Sequence, residues 1–312
     1  MKRLLIATLV AAYAFGTVAY AVTESMPPTP AGAQTPLLFA QDWAVRLPNE
    51  TAVVFRGALN SQAAGGSTGA MLYPAPNAGV ALAALLVHGL LNSGARKMEA
   101  NRLQETADKV LDPYRATIGN MRHDELFQMA SQQKRRPGAM RIAVPGEAPS
   151  GEWFFVIDPV FSMTQDQRAL IFDSIILVYA PNEPAKPVFQ NAVRTISAPL
   201  VKQDAAVYWS EAQGKNLKHV SAALTAMALE IAAGNIAHSA PMESEAANPA
   251  QRTIRYLEGG SEKIERSELL GVACDRALLK TLRGALMSVP LSATHRYAVA
   301  PEVEDCGASV VR

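Results

Sequence analysis

Two acidic residues interrupt the most strand-like part of the sequence. Asp158 follows the apolar segment Trp153–Ile157, and Asp173 lies inside the apolar run 169–179. If these strands pair, the two carboxyl groups could face each other, and neighbouring carboxylates can divide acid and base roles because their pKa values separate. The simpler interpretation is structural: Asp158 before Pro159 marks a turn or bulge, and Asp173 faces solvent from a one-sided sheet. The reaction therefore stays unknown, with Asp158 and Asp173 as catalytic candidates only.

A third candidate is Ser67, in the sequence Gly65-Gly66-Ser67-Thr68-Gly69. The pattern G-x-S-x-G is that of a hydrolase nucleophile elbow, which needs a buried strand before the serine and a helix directly after it. Here the polar segment Asn60-Ser61-Gln62 precedes Ser67, and Pro74 and Pro76 follow. A glycine-rich loop therefore explains the pattern better than a nucleophile does.

Metal, cofactor and nucleic-acid sites have no support in the sequence. The five histidines include no pair at the i,i+4 spacing of a helical metal site, and no Cys/His quartet is present. No glycine-rich phosphate loop follows a strand, so the sequence predicts no cofactor. With 29 basic and 28 acidic residues, the chain also lacks the basic surface that nucleic acid requires.

The first 21 residues have the pattern of a signal peptide. Lys2-Arg3 is a basic start, Leu4–Phe15 is an apolar core, and Ala19-Tyr20-Ala21 supplies the small residues of a cleavage site. We expect cleavage between Ala21 and Val22, with a later cut after Ala33 or an uncleaved anchor as alternatives. The mature chain would then carry 29 − 2 = 27 basic and 28 acidic residues, and would be periplasmic or secreted.

The two cysteines are predicted to form one disulfide. Cys274 and Cys306 are the only cysteines of the chain, and an even, sparse pair in an exported protein favours a bond over two free thiols. The bond would hold the C-terminal tail against the body and stabilise the fold by about 3–4 kcal/mol.

The segment from Ala78 to Leu91 is predicted to be an apolar helix that protein buries. It lies in a stretch without acidic or basic side chains that extends from Gly57 to Ala95. Fourteen residues rise only about 21 Å, whereas the hydrocarbon layer of a membrane is roughly 30 Å thick. We therefore expect no membrane span in the mature chain. The buried face, which could be core, interface or pocket wall, consists of Leu82, Leu85, Leu86 and Leu90.

The remaining elements follow from periodicity. Strands are predicted at Trp153–Ile157, Val160–Met163, 169–179, 188–196 and in a hairpin around Gly259-Gly260. The short β-prone segments Trp43–Arg46 and 52–55 are expected to be either edge strands or coil. Helices are predicted at 78–111, 123–136, 204–238 and 275–287, where apolar residues recur at helical spacing.

These elements predict an α+β fold: an antiparallel sheet of about five strands packed with three to four helices. The expected order is a signal peptide (1–21), a proline-rich linker with a possible edge strand (22–50), a glycine-rich loop with a helical region (51–140), and the sheet with its long helix and disulfide-tied tail (141–312).

The functional expectation is an exported, non-enzymatic protein that binds a partner or assists assembly in the cell envelope. An envelope protein or an apolar ligand is the expected partner. Two alternatives remain open: an exported hydrolase that uses Ser67 or the Asp158/Asp173 pair, and an apolar-ligand or lipid-binding protein.

Overall fold

The computed structural model describes five ranges of the chain. They are residues 42–59, 94–134, 138–201, 204–238 and 251–292. The eleven strands of these ranges are β1 (Trp43–Arg46), β2 (Val54–Gly57), β3 (Met140–Ile142), β4 (Trp153–Ile157), β5 (Val160–Met163), β6 (Leu170–Tyr179), β7 (Phe189–Ile196), β8 (Gln251–Glu258), β9 (Ser261–Ala273), β10 (Arg276–Thr281) and β11 (Leu286–Pro290). The α-helices are α1 (Gly94–Asp108), α2 (Arg115–Gly119), α3 (His123–Gln133) and α4 (Ala205–His238), and a 3-10 helix spans Lys109–Tyr114.

Strand β6 is the centre of the sheet. One of its edges pairs with β7 over residues 171–178, and the other edge is shared by β4, opposite residues 176–179, and β5, opposite residues 170–173. Its sequence is apolar almost throughout, as expected for a strand that is covered on both faces.

The two faces of β6 are covered by different layers. Leu170, Phe172 and Ile176 belong to a core that also contains Leu224 and Leu229 of α4. Ile171 packs on the opposite face, in a second core with apolar residues of β8, β10 and β11. Because side chains alternate along a strand, Asp173 lies on the same face as Ile171.

Strands β8 to β11 form a ribbon that continues from β7 through β11 and folds back over this second face. Near the end of β11, Leu291 forms an isolated antiparallel bridge with Tyr256 of β8. Arg276 of β10 ties the ribbon to β7, because its Nη2 donates to the carbonyl oxygen of Ile196 at 2.6 Å. The ribbon therefore encloses the face of β6 and β7 that the helices leave open.

The predicted fold class is wrong. The sheet is mixed and has eleven strands: β1 runs parallel to β3 and β4, β2 to β5, and β7 to β11. Sequence periodicity identifies strands singly, whereas these parallel pairs join segments far apart in the chain. The strands at 43–46, 153–157 and 160–163 and the hairpin at Gly259-Gly260 are confirmed.

The helix predicted at 275–287 is also wrong, because the segment forms β10, a turn and β11. Its Leu, Ala, Lys and Arg content favours a helix by intrinsic propensity. Pairing with β9 and β7 overrides that preference, and the buried positions Ala277, Leu279 and Thr281 show the alternation of a strand. Gly284, with a φ of +84°, completes the tight turn between β10 and β11.

Within the described ranges, no helix has the length and hydropathy needed to cross a membrane. The predicted apolar helix at 78–91, with Leu82, Leu85, Leu86 and Leu90, lies outside these ranges. The helix predicted to continue to Leu111 is present from Gly94 as α1 and the 3-10 helix that contains Pro113.

The long helix predicted at 204–238 is present as α4, but its backbone breaks at Glu211–Gly214. Ala212, Gln213 and Gly214 have φ values of 47°, 59° and 80°, which is one left-handed turn. Left-handed geometry costs residues with a Cβ atom about 1–2 kcal/mol each. Asn216 supports the break, since its Nδ2 donates to the carbonyl oxygen of Tyr208 at 2.9 Å.

Replacing Ala212 with glycine should therefore stabilise the protein. We expect Ala212→Gly to raise the free energy of unfolding by about 0.5–1 kcal/mol, since glycine adopts a positive φ without strain but loses more conformational entropy on folding. The matched control is Ala223→Gly within the regular part of α4, which should cost about 1 kcal/mol. Urea unfolding measures both, and a loss of stability in Ala212→Gly would contradict the left-handed turn.

Candidate functional site

The central feature of the enclosed face is an ion pair between Asp173 of β6 and Arg194 of β7. The two residues are directly opposite each other in the strand register. Arg194 Nε donates to Asp173 Oδ1 at 2.7 Å, and Arg194 Nη2 donates to Asp173 Oδ2 at 2.9 Å. The side chain of Arg194 is only 21% exposed, and that of Asp173 only 12%. Both oxygens of the carboxylate are thus occupied by one guanidinium group, in the bidentate geometry of strong charged pairs.

Titratable groups of the ribbon interact electrostatically with this pair. Burial lowers the pKa of Arg194, but Asp173 and then Glu258 outweigh this, so the pKa lies above its usual range. Burial raises the pKa of the Tyr256 hydroxyl, and Glu258 raises it further. Burial also raises the pKa of Glu265, against the opposing effect of Arg194. Glu258 and Tyr256 of β8 and Glu265 of β9 thus each interact electrostatically with Arg194.

Two polar atoms of β9 are buried without a hydrogen-bond partner among the described residues. They are Oε1 of Glu265 and Oγ of Ser267, and Ser267 is completely buried. Residues two apart on a strand share a face, so both lie on the inner face of the ribbon. Ser267 pairs with Thr281, whose hydroxyl accepts from the amide of Ala285, next to the central strands. Buried polar groups normally have a hydrogen-bond partner, so these two atoms are exceptions within the enclosed face.

The turn between β5 and β6 holds the ribbon over the site. Asp166 is the contact: its Oδ2 accepts from the amide of Gly260 at 2.6 Å, and its Oδ1 accepts from Thr164 Oγ1 at 2.6 Å and the amide of Arg168 at 3.1 Å. Gly260 lies in the turn that joins β8 and β9. One carboxylate therefore links the tip of the hairpin to the central sheet.

The next residue of this turn connects the sheet to the helices. Gln167, with a φ of 57°, accepts a hydrogen bond on its carbonyl oxygen from Trp209 Nε1 at 2.6 Å. Its side-chain oxygen accepts from the hydroxyl of Tyr114 at 2.5 Å. Trp209 and Tyr114 are among the largest fully buried side chains. The turn thus anchors both layers and is structural.

Acid should weaken the contact made by Asp166. Burial raises its pKa, but hydrogen bonds from Thr164, Gly260 and Arg168 outweigh this, so the pKa lies below its usual range. The stabilisation is complete above the unfolded-state pKa of about 3.9 and disappears as the pH falls through the lower folded-state pKa. The free energy of unfolding of the wild type should be higher than that of Asp166→Asn, and this difference should stay constant down to about pH 5. Below about pH 4 the difference should become smaller. Urea titrations across this range measure the difference, and a constant difference down to about pH 2 would contradict the contact.

The catalytic candidates from the sequence occupy different environments. Asp173 is held by Arg194. Asp158 lies between β4 and β5, where its amide donates to Ser174 Oγ at 3.0 Å. Burial raises the pKa of Asp158, and Glu50 adds to the effect. Ser174 is on the helix-facing side of β6, opposite to Asp173, so the groups near the two aspartates are different. Ser67 lies outside the described ranges.

The other predicted positions remain predictions. Cys274 lies with Asp275 in the two-residue turn between β9 and β10 and has a φ of 58°. Cys306, and the cleavage site at Ala21 and Val22, lie outside the described ranges. Within those ranges no group of three or more His, Cys, Asp or Glu side chains is placed to hold a metal ion.

Sequence reasoning missed four residues of this site: Arg194, Tyr256, Glu265 and Ser267. Arg194 had a detectable signal, because it is a charge inside an alternating apolar strand, as Asp173 is in the preceding one. Tyr256 and Glu265 lie on predicted strands of a predicted hairpin, but only the folded ribbon shows which face is enclosed.

Comparison of the chain with protein-family models, with curated proteins and with solved structures finds no match.

Proposed function

We propose that this is an exported, non-enzymatic binding protein of the cell envelope, and that the face enclosed by β6 to β9 is its binding site. The observation that supports this is the bidentate pair between Asp173 and Arg194. A carboxylate whose two oxygens both accept from one guanidinium group is held in a structural ion pair and is not directed at a substrate atom. The same pair is well suited to orient a ligand, since it is rigid and leaves Arg194 Nη1 without a partner among the described residues.

The hydrolase alternative receives less support from this geometry. Acid/base catalysis by two carboxylates requires both groups to reach the same substrate atom or water. Asp173 faces the ribbon, whereas the amide of Asp158 contacts Ser174 on the helix side. The acidic partner that raises the pKa of Asp158 is Glu50.

A photo-crosslinking residue at position 258 tests the proposal in cells that export the protein. Glu258 is on β8, and its charge acts on Arg194 and Tyr256. The matched control is position 255, which lies three residues away on the outer face of the same strand. An adduct of defined mass at 258 and not at 255 supports a binding site. The proposal would be overturned if the wild type hydrolysed a compound from a panel of esters, amides and glycosides and a folded Ser67→Ala or Asp158→Asn variant did not.

Export can be tested by the N-terminus and the cysteine oxidation state of the protein. We expect the mature protein to begin at Val22 and to contain a bond between Cys274 and Cys306. N-terminal sequencing of protein released by osmotic shock, with mass mapping of a non-reducing digest, measures both. Purified protein that retains Met1, or that has two thiols open to alkylation, would contradict the periplasmic or secreted localisation.

A further inference from the structure

Strand β9 extends beyond the strand that pairs with it on one side. β8 covers β9 only up to Glu268, which is opposite Gln251, whereas β10 covers the other edge as far as Ala273. From Leu269 to Ala273, the edge on the β8 side therefore has no partner strand in the described part of the chain. An unpaired edge presents backbone N–H and C=O groups with which another strand can pair.

This open edge lacks the charges that usually protect such a position. Its sequence is Leu269-Leu270-Gly271-Val272-Ala273. By contrast, β8 carries Arg252 and Arg255 along its length. Charged side chains and proline on an edge discourage pairing with another chain. A β-bulge at Leu270 interrupts the pairing with β10, but it leaves the β8 side of this segment uncharged.

The space beside this edge is accessible. Leu270 is 38% exposed, and Gly271 and Ala273 are exposed as well. An added Cβ atom at Gly271 would have no atom within 4 Å. Glycine inside a strand allows another backbone to approach closely. Strand addition requires an accessible edge rather than a cavity, and this edge meets that requirement.

The neighbouring side chains favour an apolar strand. Leu269 and Val272 pack against the second core, which contains Ala277 and Leu279 of β10. A strand beside them would place alternate side chains next to this core, where a charge would lose its water without gaining a partner. A second copy of the chain fits less well, because a stable interface takes about 20–30 residues from each side.

We propose that the β9 edge at Leu269–Ala273 binds an extended, uncharged and apolar polypeptide segment of another protein by strand addition. Backbone hydrogen bonds supply the affinity in this mode of recognition, so the edge should accept many apolar sequences. This surface goes beyond the enclosed face proposed above, and binding at one does not require binding at the other.

The test uses a hexapeptide of alternating valine and threonine with blocked ends as the probe. It is titrated into the full mature chain and followed by calorimetry and by hydrogen exchange. We expect saturable binding and slower exchange of those amides at 269–273 that do not bond to β10. Methylating every backbone nitrogen of the peptide should abolish binding, because it removes the donors that pair with the edge. Leu270→Glu should weaken binding about tenfold or more, since its carboxylate would be desolvated beside an apolar strand.

The matched control is Ile264→Glu, which changes another exposed apolar residue of β9 at a position where β8 pairs. It should bind the probe as the wild type does, and thermal melting controls for folding. Equal weakening in both variants, binding of the methylated peptide, or no saturation up to about 1 mM would overturn the proposal. So would slow exchange of the same amides before peptide is added, because a second copy or the C-terminal tail would then already cover the edge. A specific adduct at position 258 would still support the proposed function in each case.

Discussion

The variant Arg194→Met should be less stable than the wild type by about 3–5 kcal/mol, a large part of the 5–15 kcal/mol typical of a folded domain. The loss comes from Asp173, which would remain buried on the ribbon side of β6 without its counter-ion. Glu258 and Glu265 would also lose the attraction of the Arg194 charge. Chemical denaturation at neutral pH measures the change.

The control for this prediction is an exposed pair of the same residue types. Arg255 and Glu262 bond on the outer face of the hairpin at 2.8 Å, with 48% and 37% of their side chains exposed. Because solvent screens such a pair, Arg255→Met should cost no more than about 1 kcal/mol. A similar cost for Arg194→Met would mean that the ribbon does not enclose Asp173 and Arg194.

A double variant separates the value of the pair from the penalty for breaking it. Replacing a buried ion pair with apolar residues of similar volume is often neutral or stabilising, because two desolvated charges are removed together. We therefore expect Asp173→Leu with Arg194→Met to recover much of the stability lost in Arg194→Met alone. If the pair orients a ligand, the recovered protein should be stable but unable to bind.

The central strands could be predicted from the sequence because their signal is local. β4, β5, β6 and β7 are rich in apolar and β-branched residues and are separated by proline or polar turns. Their antiparallel order follows from short connections. The parallel partners could not be predicted in this way: β1 pairs with β3 and β4, which lie about a hundred residues further along the chain. The ribbon depends on β10 and β11, whose leucine and alanine content gives a misleading helical signal.

Half of the candidate site could be found from the sequence. Asp173 attracts attention as a charge in an apolar strand, and the same argument applies to Arg194. Their bond requires a register of β6 against β7 that passes through an irregular loop with Pro181, Pro184 and Pro187. Local patterns do not specify that register. The position of Glu265 depends in addition on the bond from Asp166 to Gly260, which joins residues 94 positions apart.

Among the glycines that the structure describes, Gly57 is the one whose replacement with alanine should lower the stability of the protein most. Gly57 ends β2, where its amide donates to Asp108 Oδ1 at 2.7 Å and its carbonyl accepts from Gln104 Nε2 at 3.1 Å. Side chains of α1 thus provide hydrogen-bond partners for the backbone at one edge of β2, and the other edge of β2 pairs with β5. A Cβ atom at Gly57 would lie 1.9 Å from the carbonyl oxygen of Ala107, also in α1.

We expect Gly57→Ala to cost about 3 kcal/mol. The clashing atoms are all backbone, at 1.9, 2.3 and 2.9 Å, so no side-chain rotation can relieve them and α1 must move away from β2. That movement would break the bonds from Gln104 and Asp108, and also the bond that Gln165 Nε2 donates to the carbonyl oxygen of Ala107 at 3.2 Å. Gly271→Ala in β9 is the matched control: no atom lies within 4 Å of its added Cβ, and the change should be neutral or slightly stabilising. Equal stability of the two variants in urea would show that the end of α1 is not docked against β2.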